Sequence, residues 1–195
     1  MSRIACLALL AACLFLASPA HAGPDQRALA LVDAARAQIG VTRFYDGGYQ
    51  RLDWPNGDVD VERGVCSDVV IRAYRQAFQH DLQVAVHQDM KRAFSAYPRR
   101  WGLKTPDRNI DHRRVPNLQV FLTRRGAKLE AEEAFRPGDL VTQTVAGHLP
   151  HIVIVSDKQS ADGKRYLVIH NIGAGTVEED TLLTFPITGH YRYFP

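Results

Sequence analysis

The chain has 195 residues, of which 46% are hydrophobic and 23% charged, and its formal net charge at pH 7 is +3. This composition is typical of one globular domain with a sizeable core, and it excludes a low-complexity, fibrous or intrinsically disordered chain. The small net charge does not by itself indicate an acidic partner such as nucleic acid.

The first 22 residues are expected to be a signal peptide. Arg3 supplies a positive charge, residues 4–17 are almost entirely apolar, and residues 18–22 include the small side chains that a signal peptidase recognises. Cleavage after Ala22 would leave a single domain over residues 23–195, exported to the periplasm. An alternative is a lipid anchor at Cys13, because residues 10–13 resemble a lipoprotein processing box. No other segment approaches the ~20 apolar residues of a transmembrane helix.

Helices are predicted over the first two thirds of the domain. One begins at the cap residue Asp25 and ends at Ile39, before Gly40. After Cys66, apolar residues recur at helical spacing and predict a second helix: Val69, Val70, Ala73, Tyr74, Ala77 and Phe78. Two more are predicted near Met90–Tyr97, before Pro98, and over Pro116–Arg125, before Gly126.

From Pro137-Gly138-Asp139 onward the pattern is typical of strands. They are predicted over Leu140–Val145, over His151–Val155 and Tyr166–His170 as a hairpin, and over Tyr191–Phe194. Helices followed by strands indicate an α+β fold in which N-terminal helices pack on an antiparallel sheet.

Cys66 is the candidate nucleophile. The other two cysteines, Cys6 and Cys13, lie in the signal segment, so the exported chain keeps one thiol. Exported proteins use cysteines mainly in disulfides, so a lone thiol is buried and inert, paired with another chain, or retained for its reactivity. The start of a helix favours a reactive thiol, because the helix dipole stabilises a thiolate and free N–H groups can bind an oxyanion.

His151 and His170 are the candidate base and orienting residue. If the hairpin turns at Ser160 and Ala161, His151 lies opposite His170, and the two imidazoles are neighbours on one sheet face. One histidine can then take the thiol proton while the other orients it. Asn171 is an alternative orienting residue, although strand alternation places it on the opposite face.

Basic residues cluster in the middle of the chain: Lys91, Arg92, Arg99, Arg100, Lys104, Arg108, Arg113 and Arg114. A solvated face with arginine–aspartate pairs is the simpler interpretation, and attraction of anionic substrates such as peptide carboxylates is the functional one. Export argues against nucleic acid as a partner. His112 is expected to pack or form an ion pair, or else to line a substrate groove. His80, His87 and His190 are expected at the surface or in loops.

Two other functions are compatible with the sequence. Asp139, His148, His151 and His170 could bind zinc in a metal-dependent cell-wall hydrolase, although Pro150 and the lack of a helical i, i+4 pair make the spacing poor. A non-catalytic cell-wall binding module that retains the fold is the other alternative. The sequence has no Gly-rich phosphate loop and no carboxylate cluster for calcium or magnesium, so no cofactor is expected.

The cysteine at a helix start, the Pro-Gly-Asp turn and the strand that begins at His151 resemble the NlpC-type branch of papain-like cysteine peptidases. The resemblance implies a papain-like fold in which Cys66 is the nucleophile, His151 the base and His170 the third residue. It also implies that Tyr45, in a Gly-rich segment, assists, and that the substrate is a bacterial cell-wall stem peptide. The sequence departs from the branch at Asp68, where glycine is usual, and in the basic residues 91–114.

Five short segments resemble a narrower family, an exported bacterial family known as domain of unknown function 1287 and grouped with the NlpC-type fold. They are residues 54–58, 64–68, 109–117, 170–173 and 189–193. The sequence therefore predicts a periplasmic amidase or peptidase that acts on peptidoglycan through a Cys-His-His triad without a cofactor.

Overall fold

The computed structural model describes residues 24–195, and the predicted signal peptide with Cys13 lies outside this range. The described residues form four α-helices: α1 (Pro24–Arg36), α2 (Cys66–Phe78), α3 (Leu82–Ala93) and α4 (Val115–Arg124). Two short strands, β1 (Phe44–Tyr45) and β2 (Arg63–Gly64), pair in parallel. Within this range, no helix has the length and apolar character required to cross a membrane.

A five-stranded sheet occupies the C-terminal part of the chain. Its strands are β3 (Leu140–Val145), β4 (Leu149–Gln159), β5 (Tyr166–Asn171), β6 (Thr176–Glu179) and β7 (Ile187–Tyr191). Their order is β6-β5-β4-β3-β7, and every neighbouring pair is antiparallel. The predicted α+β fold, with helices preceding an antiparallel sheet, is confirmed.

The two faces of the sheet bury different apolar clusters. Ile152 and Ile154 of β4 point towards the helices and join the main core, which also includes Cys66. Val153 and Val155 alternate to the other face, where Leu182 of the β6–β7 connection covers them. Both faces are therefore buried, which explains the continuous apolar run of β4.

Several element boundaries differ from the predictions. α1 ends at Arg36 rather than Ile39, and α3 begins well before Met90, at the cap residue Asp81, whose Oδ1 accepts a hydrogen bond from the Gln83 N–H at 3.0 Å. The last strand covers Ile187–Tyr191 rather than Tyr191–Phe194. β6 carries two glutamates in four residues and was not predicted.

The β4–β5 hairpin has a register two residues away from the predicted one. Val155 pairs with Val168, so His151 does not lie directly opposite His170. The reason is the turn: the Ser160 N–H donates to the Arg165 carbonyl, which centres the turn near Asp162 and Gly163, and the ladder shifts between Val155 and Gln159. Because side chains alternate with a period of two, this shift leaves both histidines on the same face.

Candidate active site

The N-terminus of α2 is fixed by a buried ion pair. Asp68 Oδ2 accepts a hydrogen bond from the Val65 N–H at 2.6 Å, as an acidic residue at the third helical position can. The same carboxylate binds Arg113 through both of its oxygens, at 2.8 and 2.9 Å. Asp68, the departure from the NlpC-type motif, therefore holds the first residue of α2, Cys66, in place.

Arg113 ties the basic segment to this helix and to the Gly-rich loop. Its guanidinium also donates to the carbonyls of Asp46 and Gly48, at 3.0 and 3.1 Å. Its own carbonyl accepts a hydrogen bond from Ser67 Oγ at 2.6 Å. Three segments distant in sequence therefore meet around Cys66.

Cys66 is the free cysteine of the described residues, and it is buried. Burial raises the pKa of its thiol to about 12, although the N–H groups of Ile152, Ser67 and Cys66 itself oppose the rise. The predicted stabilisation of a thiolate by the helix start is therefore outweighed by desolvation. At neutral pH the group is a thiol.

An open cavity of about 470 Å³ lies beside Cys66. Tyr45 lines it, and so does Pro150, the residue before His151. The basic segment, residues 91–114, contributes Arg100, Trp101, Arg113 and Arg114 to the lining. The cavity therefore brings together the candidate nucleophile, the candidate tyrosine and some of the basic residues for which the sequence left two interpretations open.

Tyr45 reaches the cavity through the short β1–β2 pair. It pairs with Gly64, two residues before Cys66, and its side chain is half-exposed. Burial on one side, with the nearby Cys66 and Asp68, raises the pKa of its hydroxyl to about 12. The hydroxyl therefore keeps its proton at neutral pH and can donate a hydrogen bond.

His151 and His170 form a hydrogen bond. His151 Nε2 lies 2.7 Å from His170 Nδ1, and the ring centroids are 4.9 Å apart. His170 continues through Nε2 to Oε1 of Glu179, at 2.9 Å. Glu179 lies on the unpredicted strand β6, so sequence patterns did not reveal it. The β-branched pair Thr176-Val177 after Gly175 was the signal available to find this strand.

The chain His151–His170–Glu179 fixes where the protons lie. A carboxylate only accepts hydrogen bonds, so His170 carries its proton on Nε2 and accepts at Nδ1. His151 then donates from Nε2 and keeps a lone pair on Nδ1. Burial, together with the neighbouring His170, lowers the pKa of His151 to about 3. Burial also lowers the pKa of His170, against the opposing effect of Glu179. Both imidazoles are neutral at pH 7.

The thiol lies close to the backbone of β4, one residue after His151. Cys66 Sγ lies against the N–H of Ile152, the residue after His151. Alternation turns the His151 ring to the sheet face of Val153, away from the face on which Ile152 packs with Cys66. Within residues 24–195, no hydrogen bond joins the thiol to either ring.

Comparison with known proteins places the chain in a family. The sequence profile of a domain of unknown function, DUF1287, matches residues 32–193. The chain belongs to this family. It is 52% identical over 169 residues to the uncharacterized protein YijF of Escherichia coli (strain K12), a match that covers 85% of this chain and 82% of YijF. Neither description names a reaction.

The zinc ligands considered from sequence are not assembled in this DUF1287 chain. Asp139 binds His190 and Arg192, and the exposed His148 contacts the Ala146 carbonyl through Nδ1. Over residues 24–195, no group of three or more His, Cys, Asp or Glu side chains is arranged to hold a metal ion. Asp139 instead belongs to a buried cluster at the start of β3.

The remaining histidines considered from sequence, and Asn171, make contacts outside the His151–His170–Glu179 chain. His190 is buried against Asp139, so its expected surface position was wrong. His112 is buried and is not among the residues that line the cavity. His87 is half-buried, with its ring centroid 5.0 Å from that of Trp54. Asn171 lies on the other face of β5 from His170, where its amide donates to the Gly64 carbonyl at 3.1 Å.

Proposed function

We propose that this DUF1287 chain is a thiol-dependent hydrolase of amide bonds. Cys66 is the nucleophile, His151 the base and His170 the residue that orients the base. The observation that carries the proposal is the position of the thiol. Cys66 opens a helix at the wall of an open cavity and lies against the backbone beside His151.

As Cys66 Sγ attacks the amide carbon, its proton passes to Nδ1 of His151, the ring nitrogen left free by the bond to His170. The imidazolium then protonates the leaving nitrogen as the C–N bond breaks. His151 next takes a proton from water, which attacks the thioester. The acid is released and the thiol is restored.

Donors for the oxyanion surround Sγ. The N–H groups of Cys66, Ser67 and Ile152 lie close enough to lower the pKa of the thiol, so they can donate to the oxygen of a tetrahedral intermediate. The protonated hydroxyl of Tyr45, on the same cavity, is a further donor.

The resting pair is a neutral thiol and a neutral imidazole, as the directions of their pKa shifts require. Proton transfer therefore accompanies attack on the substrate instead of preceding it. The imidazolium that forms is stabilised through His170 by the carboxylate of Glu179. Burial of the pair thus favours general-base catalysis over a preformed ion pair.

Peptidoglycan stem peptides are the proposed substrate class. Two features support this choice: the signal peptide expected over residues 1–22, which would place the chain in the periplasm, and the NlpC-type motifs around Cys66 and His151. Because both features come from the sequence, the substrate class needs a direct test, and cleavage of muropeptides tests it together with the activity.

The test is cleavage of muropeptides by the purified chain and its variants. We expect Cys66→Ala to abolish turnover and His151→Ala to lower it by about 10²–10⁴-fold, the usual contribution of a general base. Circular dichroism and thermal unfolding will show that both variants fold. His148→Ala is the matched control, because His148 is an exposed histidine in the turn that precedes β4, three residues before His151. Full turnover by Cys66→Ala would end the proposal.

The alkylation rate of Cys66 gives a second readout that needs no substrate. With the pKa of the thiol raised to about 12, we expect the rate with iodoacetamide to keep rising up to pH 10. A plateau below the ordinary thiol pKa of about 8.5 would show a preformed thiolate and contradict the neutral pair. Absence of turnover on muropeptides, with an alkylation rate that is the same in His151→Ala as in the parent chain, would favour the binding-module alternative.

A further inference from the structure

The cavity beside Cys66 is electrostatically one-sided. Arg100, Arg113 and Arg114 contribute to its lining, and none of the described lining residues is aspartate or glutamate. A concave surface with one sign of charge concentrates ligands of the opposite sign. The ligand for which this wall is suited is therefore an anion.

The three arginines differ in what already binds them. Arg113 is buried and donates to Asp68 and to two backbone carbonyls. Arg114 uses one nitrogen, Nη1, to bind Asp111 Oδ1 at 2.8 Å. Arg100 is exposed, and the described part of the chain gives it no carboxylate partner. Arg100 and the second edge of Arg114 are therefore available to a ligand.

Trp101 holds these two guanidiniums. The Arg114 and Arg100 guanidinium carbons lie 4.1 and 5.8 Å from the centroid of its ring. Stacking on an aromatic ring orients a guanidinium while leaving N–H groups at its edge free for a planar acceptor. A carboxylate is such an acceptor, since Arg binds it through two parallel hydrogen bonds.

We propose that Arg100 and Arg114 bind a free carboxylate of the substrate, so that Cys66 attacks an amide bond close to a carboxylate-bearing residue. The inference rests on the proposed hydrolase function, and it names the substrate class for that site. The cavity volume, about 470 Å³, lies within the ~300–1,000 Å³ range of small-ligand pockets.

The first test compares alkylation of Cys66 by iodoacetate, an anion, and by iodoacetamide, its neutral analogue. In Arg100→Gln/Arg114→Gln we expect the ratio of the iodoacetate rate to the iodoacetamide rate to fall about tenfold, the effect of losing a charge-assisted interaction. Arg92→Gln/Arg108→Gln removes the same charge from exposed positions outside the cavity lining and should leave the ratio within about twofold of its starting value.

The second test measures binding to Cys66→Ala, which cannot turn over. We expect N-acetyl-alanyl-alanine to bind about tenfold more tightly than its C-terminal carboxamide, and the Arg100→Gln/Arg114→Gln changes to remove that preference. This measurement decides the question if the thiol reacts with neither alkylating reagent.

Equal binding of the acid and the carboxamide, or an equal preference after the two arginines are replaced, would overturn the inference. Neither test requires catalysis, so its failure is distinct from failure of the hydrolase proposal. A preference for the carboxylate without cleavage of muropeptides would support the anion site and contradict the hydrolase proposal.

Discussion

Two histidines of the sheet each bind a carboxylate, in very different surroundings. His190 Nε2 lies 2.7 Å from Asp139, whose side chain is fully buried and also binds Arg192. His170 Nε2 lies 2.9 Å from Glu179, whose side chain is 43% exposed. The local bond is similar in both pairs, so the bond itself does not indicate a function.

The two pairs differ in the groups that lie beyond each bond. At Asp139 the guanidinium of Arg192 already balances the carboxylate, and the cluster joins the end of β7 to the turn before β3. At Glu179 no arginine or lysine of the described residues pairs with the carboxylate, and the second nitrogen of His170 binds His151. The first pair is suited to stability, and the second is linked to His151, the candidate base.

The largest expected effect is the loss of stability on removing the first carboxylate. Asp139→Ala leaves His190 and Arg192 without their partner in a buried site, so we expect the free energy of unfolding to fall by about 3–5 kcal/mol. Urea unfolding followed by circular dichroism measures this. Asp33→Ala, a carboxylate exposed on α1, is the control and should unfold like the parent chain. A loss of unfolding free energy no larger than that of the control would contradict the structural role of the Asp139 cluster.

The pH dependence of stability should report on His151, the histidine bound to the second pair. The pKa of His151 is lowered to about 3, so between about pH 6.5 and 3 the unfolded chain binds a proton that the folded chain excludes. Stability is therefore lost as pH falls through this window, by about 1.4 kcal/mol per pH unit for each such proton. Unfolding measured between pH 4 and 6 should show a shallower slope in His151→Gln, by about one proton. An unchanged slope would mean that His151 titrates alike in both states.

The smallest expected effect on stability comes from the second carboxylate. Because Glu179 is partly exposed, Glu179→Ala should lower the free energy of unfolding by less than about 1 kcal/mol. Without the acceptor, His170 no longer has a fixed tautomer, so we expect turnover to fall about tenfold or more. Nitrogen-15 NMR of the two imidazoles reports the tautomers, and Glu179→Gln, which keeps an acceptor oxygen, should restore part of the rate. Identical spectra in Glu179→Ala and the parent chain would exclude a positioning role.

The side-chain faces of the β4–β5 hairpin were predicted from sequence better than its register. A shift of two residues moved His151 from its place opposite His170, yet both rings stayed on one face because strand alternation has a period of two. The turn residues 160–165 allow several centres, and only the hydrogen bond from Ser160 to Arg165 decides between them.

Other features depend on contacts that sequence patterns do not contain. β6 is short and acidic, so Glu179 gave no strand signal. His190 is buried because β7 pairs with β3 and brings it to Asp139, a contact between residues 51 positions apart. The pKa of the Cys66 thiol depends on how deeply α2 packs, and the helix start alone gave the wrong direction.

Arg113 couples three segments around the cavity, so that they are expected to unfold locally together. It anchors the loop after Tyr45, the start of α2 and the basic segment through one buried side chain. One wall of the cavity cannot open by itself without leaving Arg113 or Asp68 buried and unpaired, which is costly in the interior. The three segments therefore form one cooperative unit for local unfolding, and amide protons in all of them should exchange with solvent through a shared opening.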